Sequence, residues 1–321
     1  MRKTVLIVIS ALVLASLAAC GEVPDSKADP VEKITVAVGI VPCAALVENV
    51  AGDKVNIVTM IPPGYSPENY QPSVAEMQAL SDAAAYFSMQ TPTEEVNILP
   101  KVAEFNQNAR VVLLRDAAAV QYPLLESSHH HHEDGHGHED EHGHEDEEEH
   151  GHEDAVAFDN IHEIDPHIWL SPRRAAVMVQ AIADTLSELD PDNKAEFQRN
   201  AESYIARLDA LNAEIIDAVS RMDNKAFLIY HPAYTYFADD YGLDMIAIEV
   251  EGKKATAADL KKVIEQARES GIDVVIYQAE FDDNQAQTVA AEIGGRVAKA
   301  APLSFEYIQS LRDFVSVLVG E

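Results

Sequence analysis

Residues 194–221 read KAEFQRNAESYIARLDALNAEIIDAVSR, and this run decides how the chain is built. Phe197, Tyr204, Leu208, Leu211 and Ile215 recur at helical intervals and form one apolar face. No Gly or Pro interrupts the run, and Asp190-Pro191 just before it is a good helix start. Carried from 191 to 221, a helix of about thirty residues spans roughly 45 Å. The mean helix of a soluble protein is about 11–12 residues. A rigid strut between two domains explains a helix of this length.

Short apolar runs lie on both sides of the strut. Before it, 34–38, 55–60, 84–88 and 111–114 are predicted as strands. Helices are predicted at 41–50, where Pro42 suits a first helical position, and at 73–81, with Val74, Met77 and Leu80 on one face. A further helix runs to about Leu189 from the N-cap and first-turn pair Ser171-Pro172. After the strut, strands are predicted at 227–230, 245–248, 274–277 and 296–298, with helices at 257–270, 285–293 and 305–318. Strands that alternate with helices imply parallel sheets with covered faces. The expected fold is therefore α/β: two small parallel-sheet lobes joined by a long linking helix. The first lobe takes 31–171, the helices 172–221 and the second lobe 222–321. Open sheets of this kind bind ligands beyond the C-terminal ends of their strands.

The 321 residues suffice for two such lobes, and 47% apolar content suffices for their cores. The formal net charge is -32, which argues against nucleic acid and anionic membrane as ligands and favours cations. Met1-Arg2-Lys3 followed by an apolar run at 5–17 reads as a signal peptide over 1–19. Leu17-Ala18-Ala19-Cys20 resembles a bacterial lipobox, so Cys20 is expected to carry the lipid, with 20–30 as a tether. Cys43 then has no disulfide partner within the chain and is expected to be a small buried core residue.

Residues 129–154 read HHHHEDGHGHEDEHGHEDEEEHGHED: ten His, twelve acids and four Gly. Without an apolar residue the run has nothing to bury, and disorder is expected. Imidazoles suit zinc, nickel and copper, and the carboxylates add a negative field. His129, His130, His131, His132, His136, His138, His142, His144, His150 and His152 are thus expected to form an auxiliary loop that collects metal. Outside it the chain has His162, His167 and His231.

Potential ligands also sit where strands end. Glu68 lies in the loop after the second strand, and His231 directly follows the run 227–230. Glu280 and Asp282 follow 274–277, and His167 precedes the helix at Pro172. Glu68, His167, His231 and Asp282 would supply two nitrogens and two carboxylates to one four-coordinate ion held between the lobes. Taken singly, each has a bland reading as a hydrogen-bonded or solvated residue.

Taken together, the segments around them carry a resemblance. Pro63-Gly64-Tyr65-Ser66-Pro67-Glu68-Asn69-Tyr70-Gln71-Pro72, Asp165-Pro166-His167-Ile168-Trp169-Leu170-Ser171-Pro172 and His231-Pro232-Ala233-Tyr234-Thr235-Tyr236-Phe237 follow one another in the order of a known family. Ile248-Glu249-Val250-Glu251-Gly252-Lys253 and Gln278-Ala279-Glu280-Phe281 extend the match. The chain resembles the solute-binding lipoproteins of zinc and manganese ABC importers, the ZnuA/TroA type. The resemblance implies two lobes with the ion between them, and delivery to a membrane permease rather than catalysis. It implies an extracytoplasmic protein anchored to the membrane by lipid on Cys20. His167 and His231 match the family's second and third ligands, and Asp282 the acidic form of the fourth, with Glu280 as a rival. The first ligand is usually His; here it is Glu68. An oxygen-richer site drifts toward Mn2+ or iron, whereas the His-rich loop is typical of the zinc branch. Zn2+ is expected, with Mn2+ as the alternative.

Two other classes compete. His132-Glu-Asp-Gly-His136 and His138-Glu-Asp-Glu-His142 match the H-E-x-x-H protease signature, but that chemistry needs a helix, and these lie in Gly-punctuated low complexity. No enzyme activity is expected. The chain has no G-x-x-x-x-G-K-[ST] loop, so it is not the importer's ATPase. A surface adhesin or metal-storage protein remains the second alternative.

Overall fold

The computed structural model describes residues 33–127, 164–249, 253–281 and 283–320. The lipobox with Cys20, the tether, the run 129–154 with its ten His, and Asp282 all lie outside the described residues.

The first lobe starts with β1 (Ile34–Val38), α1 (Val41–Ala51), β2 (Val55–Thr59) and α2 (Val74–Gln78). It continues with β3 (Ala83–Ser88), α3 (Val102–Phe105), β4 (Arg110–Leu113) and α4 (Leu114–Ala119). All pairings are parallel, in the order β2-β1-β3-β4, with Ile34 opposite Val55 and Val38 opposite Thr59. Then come α5 (Pro172–Leu189) and α6 (Lys194–Ser220). The second lobe holds β5 (Ala226–Ile229), α7 (Thr235–Tyr241), β6 (Asp244–Ala247) and α8 (Ala257–Glu269). It ends with β7 (Val274–Gln278), α9 (Asn284–Ile293), β8 (Arg296–Ala300) and α10 (Tyr307–Val319). Its sheet is again parallel, β6-β5-β7-β8, so the two lobes repeat one strand order.

The strut is α6, 27 residues long, and its five predicted apolar residues are all buried. It is fastened to both lobes. Near its start Asn200 Nδ2 donates to the Val50 carbonyl of α1 at 2.9 Å. Further along, Glu214 accepts from Arg312 of α10 through Nε at 2.8 Å and Nη2 at 3.0 Å. One continuous core joins the first sheet, α5, α6 and the inner face of α10, and a smaller one lies between the second sheet and α8 and α9. Both lobes belong to one compact unit that begins at Ile34. No described helix is long and apolar enough to cross a membrane.

Some local expectations change. The helix foreseen at 73–81 is a short α2 followed by a 3-10 turn, Ala79–Asp82. Ser73 and Glu76 form a capping box that starts α2 at Val74, which is left 77% exposed, while Met77 and Leu80 are buried. Asp190 caps a 3-10 turn, Pro191–Asn193, which leads into α6. Ser171 does cap α5, accepting from Arg174 N–H. The segments Glu94–Ile98 (a π-helical turn), α3, α4 and α7 were not foreseen; each is too short to show a period. Cys43 is a free thiol in the core, as expected, and burial pushes its pKa up.

Candidate metal centre

The site is built from strand ends inward. Tyr230 continues β5 by donating its N–H to the Ile276 carbonyl at 2.7 Å, and His231 comes next. Gln278, buried at the end of β7, holds the His231 backbone from both sides. Its Nε2 donates to the His231 carbonyl at 2.6 Å, and its Oε1 accepts the His231 N–H at 3.4 Å. The His231 ring stacks on Phe281, with centroids 4.8 Å apart. Its Nδ1 lies 2.5 Å from Glu249 Oε2.

His167 is held in a similar way from the first lobe. One oxygen of Asp165 receives its backbone N–H at 2.8 Å and faces its Nδ1 at 3.0 Å. Asp165 is fixed in turn, because its carbonyl accepts from Tyr236 Oη at 2.9 Å. Trp169 packs on the His167 ring and donates Nε1–H to the Pro302 carbonyl at 2.9 Å. That bond joins this segment to the loop after β8. Glu68 enters from the loop between β2 and α2.

A carboxylate beside each Nδ1 favours the neutral tautomer with its proton there, the form whose Nε2 offers a lone pair inward to a cation. The two Nε2 atoms are 3.2 Å apart, and Glu68 Oε1 is 3.4 Å from His167 Nε2. Glu68 Oε1 is buried and has no aligned hydrogen-bond donor. Three electron-pair donors therefore converge on one point. Donors about 2.0–2.1 Å from a tetrahedral zinc ion stand about 3.3 Å apart, close to the spacing from His167 Nε2 to each of the other two. Glu68, His167 and His231 form the one such group among the described residues, with ligand atoms within 4.8 Å of one another. The cavity before them measures about 20 Å³, room for one ion or water.

The field around this point is negative. Burial alone would lower the His167 pKa, but the charge of Asp165 and its contact with the ring, together with the nearby Glu68 carboxylate, overcome it and push the pKa up to about 10. Burial acts to raise the Glu68 pKa, yet His167 and then His231 bring it below the usual carboxylate value. Without an ion, the site draws positive charge as a proton on imidazole.

Of the residues expected from sequence, Glu68, His167 and His231 come together. Glu280 lines the same cavity, with one carboxylate oxygen buried and unpaired, but it is not one of the three converging ligands. Burial raises its pKa. Asp282 lies outside the described residues. Sequence reasoning missed the supporting groups Asp165, Glu249 and Gln278. Asp165 stood two residues before His167, a spacing that could have marked it as the ring's partner.

The profile of the family described as "Zinc-uptake complex component A periplasmic", ZnuA, matches residues 36–320. The chain belongs to this family. Among its curated relatives is the "Zinc-binding lipoprotein AdcA" of Streptococcus pneumoniae, 29% identical over 319 residues, which cover 96% of this chain and 58% of AdcA. The chain thus spans little more than half the length of AdcA. The "High-affinity zinc uptake system protein ZnuA" of Bacillus subtilis is 27% identical, over 87% of this chain and 82% of that protein. A crystal structure of ZnuA superposes with a TM-score of 0.75 at 28% identity, covering 90% of this chain and 99% of that one. The periplasmic zinc-binding protein TroA of Treponema pallidum, at 15% identity and a TM-score of 0.72, shares the fold. Members of the ZnuA family are transport components, and the two-lobed α/β fold with its long linking helix is theirs.

Proposed function

We propose that this protein captures one divalent cation, Zn2+, outside the cytoplasm and delivers it to the membrane permease of an ABC importer. The convergence of Glu68 Oε1, His167 Nε2 and His231 Nε2 carries this reading. Two imidazoles and a carboxylate are a competent zinc donor set. The ion takes the place of the proton that His167 otherwise attracts. Glu68 and His167 come from the first lobe and His231 from the second, so the ion ties the lobes across the cleft. Asp282, Glu280 or water supplies the fourth position, with Asp282 the choice from sequence. Lipid on Cys20 keeps the protein at the membrane, and the His-rich run at 129–154 gathers ions near it. The names of its relatives AdcA and ZnuA support zinc as the cargo.

Mn2+ is the second reading, favoured by one observation: Glu68 gives the site a hard oxygen donor. The test is the metal content of protein purified without added metal, followed by competition of Zn2+ and Mn2+ against a chelator. One tightly held zinc per chain, lost in His167→Ala and His231→Ala, is the expected result. Tight manganese with weak zinc would replace the reading by the second one. No tight ion at all would end both.

A further inference from the structure

Glu68 differs from the two histidines in how it is supported. It rides on an irregular loop interrupted by Pro62, Pro63, Pro67 and Pro72, and its side chain is 30% exposed. Its own N–H reaches only back to Ser66 Oγ, at 3.2 Å. Left to itself, such a loop would spread the carboxylate over many positions, and ordering it would weaken ion binding.

The loop is tied down from outside. The N–H of Thr93 donates to the Pro67 carbonyl at 3.0 Å. Thr93 Oγ1 donates to the Tyr70 carbonyl at 3.3 Å, and Asn97 Nδ2 donates to the same carbonyl at 3.1 Å. Pro67 and Tyr70 stand on either side of Glu68. Thr93 stands at the N-cap of the π-helical turn Glu94–Ile98 and Asn97 lies within it, a rare geometry that recurs at functional sites. Residues four apart on a helical turn share one face, and both side chains reach the same carbonyl.

The turn is rooted in the lobe's core. Glu94 is fully buried and accepts from Tyr86 Oη at 2.7 Å, Thr91 N–H at 3.0 Å and Thr91 Oγ1 at 3.0 Å. Gly39 at the end of β1 leaves room for it, since a Cβ there would stand 1.8 Å from Glu94 Oε1. Glu95 pairs at 2.6 Å with Arg115, whose Nη1 donates to the Gln90 carbonyl at 3.1 Å. A chain of formed bonds thus runs from the buried first sheet to the two carbonyls that flank Glu68.

We propose that Thr93 and Asn97 are positioning residues for the ion: their side chains fix the Tyr70 carbonyl after Glu68, beside the Pro67 carbonyl that the Thr93 N–H holds before it, and so preset the Glu68 carboxylate opposite the two histidines. This rests on the metal-binding reading above. Neither side chain touches the ion; both act through Glu68.

A double-mutant cycle tests it in the full chain. Thr93→Val/Asn97→Ala is compared with wild type, and again with both chains carrying Glu68→Ala, by zinc competition against a chelator. With Glu68 present the double variant should bind zinc about 10–100-fold more weakly, the usual effect of losing a ligand's support. With Glu68→Ala it should cause no further loss. Thr93→Ser/Asn97→Ala, which keeps one hydroxyl, should recover part of the affinity. In the Co2+-loaded protein, the visible spectrum of the double variant should move toward that of Glu68→Ala. Equal losses in the two backgrounds would overturn the proposal alone, because Thr93 and Asn97 would then serve the fold and not Glu68. Absence of a tight zinc site in wild type would overturn it together with the metal-binding reading. If the double variant does not fold, Asn97→Ala is taken through the same cycle with the same criterion.

Discussion

In the second lobe His231 stands two residues past β5, while in the first lobe Glu68 stands well beyond the end of β2, in a loop. The strand orders are the same, but the two groups inherit different mechanics. His231 borrows the sheet's rigidity: Gln278 on the neighbouring strand clamps its backbone, Glu249 its ring nitrogen and Phe281 its ring face. Glu68 inherits nothing from β2 and depends on Thr93, Asn97 and the buried Glu94 beneath them. A repeated topology therefore fixes where a site forms. How firmly each donor is held depends on side chains special to each lobe.

The sharpest way to break the comparison is to remove each donor. His231→Ala should weaken tight zinc binding on the order of a thousandfold, or about 4 kcal/mol, because it removes a rigidly held nitrogen. His167→Ala should act alike. Glu68→Ala should cost about ten- to a hundredfold, because water can fill a vacated oxygen position and the loop held part of the ordering cost. Glu68→His should keep tight binding and move selectivity from Mn2+ toward Zn2+ as the site gains a nitrogen. Chelator competition with both metals reads all four. Equal losses for Glu68→Ala and His231→Ala would show that support matters less than donor count.

Next in size is the support of the histidine itself. Glu249→Gln keeps the shape but removes the charge that faces His231 Nδ1, and should weaken zinc about 10–100-fold. Far-UV circular dichroism of the ion-free protein should be unchanged. An unchanged zinc affinity would mean that Gln278 and Phe281 orient the ring without Glu249.

These differences mark what could be read from the sequence. The stripe on α6 was legible because five apolar residues repeat at the helical period over a long run. His231 stood out as a candidate because a polar residue directly follows the apolar run 227–230, and it does join the converging group. Val74 misled, since it fits the period but lies at the first turn of a helix whose capping box points it outward. The support of Glu68 was illegible for a different reason. Thr93 and Asn97 bond backbone carbonyls far away in sequence, and nothing in their own neighbourhood records that. The π-helical turn leaves no periodic trace, and which carboxylate meets which imidazole is set only when the lobes are assembled.

Deleting 128–154 sharpens the comparison from outside. That run holds ten His and no apolar residue, so it is expected to gather ions without supplying a ligand to the tight site. Calorimetry should show the weak zinc sites vanish, while the tight site keeps its affinity within about threefold, a change under roughly 0.7 kcal/mol. Loss of the tight site would place a ligand from the run in the centre and remove one of the three donors from its role.

The last contrast, in stability rather than in ion binding, belongs to a pair of glutamines at equivalent strand ends. Gln278 ends β7 in ordinary extended backbone and serves His231. Gln90, just past the corresponding β3, is the one described non-glycine residue with positive φ, at 60°. That conformation costs on the order of 1–3 kcal/mol. It is held by its N–H on Ser88 Oγ at 2.9 Å, by Nε2 on Asp116 Oδ1 at 3.1 Å, and by Oε1, which accepts the Asp116 N–H at 3.2 Å. Gln90→Gly relieves the strain but loses both side-chain bonds, each worth about 0.5–1.5 kcal/mol, so its stability should stay within about 1 kcal/mol of wild type. Gln90→Ala loses the same bonds and keeps the strain, and should fall about 1 kcal/mol or more below the glycine variant. Urea unfolding of the ion-free chains gives both values. If alanine proves as stable as glycine, the turn at Gln90 carries no backbone strain, and the support of the Glu68 loop draws its rigidity from Glu94 and Arg115 alone.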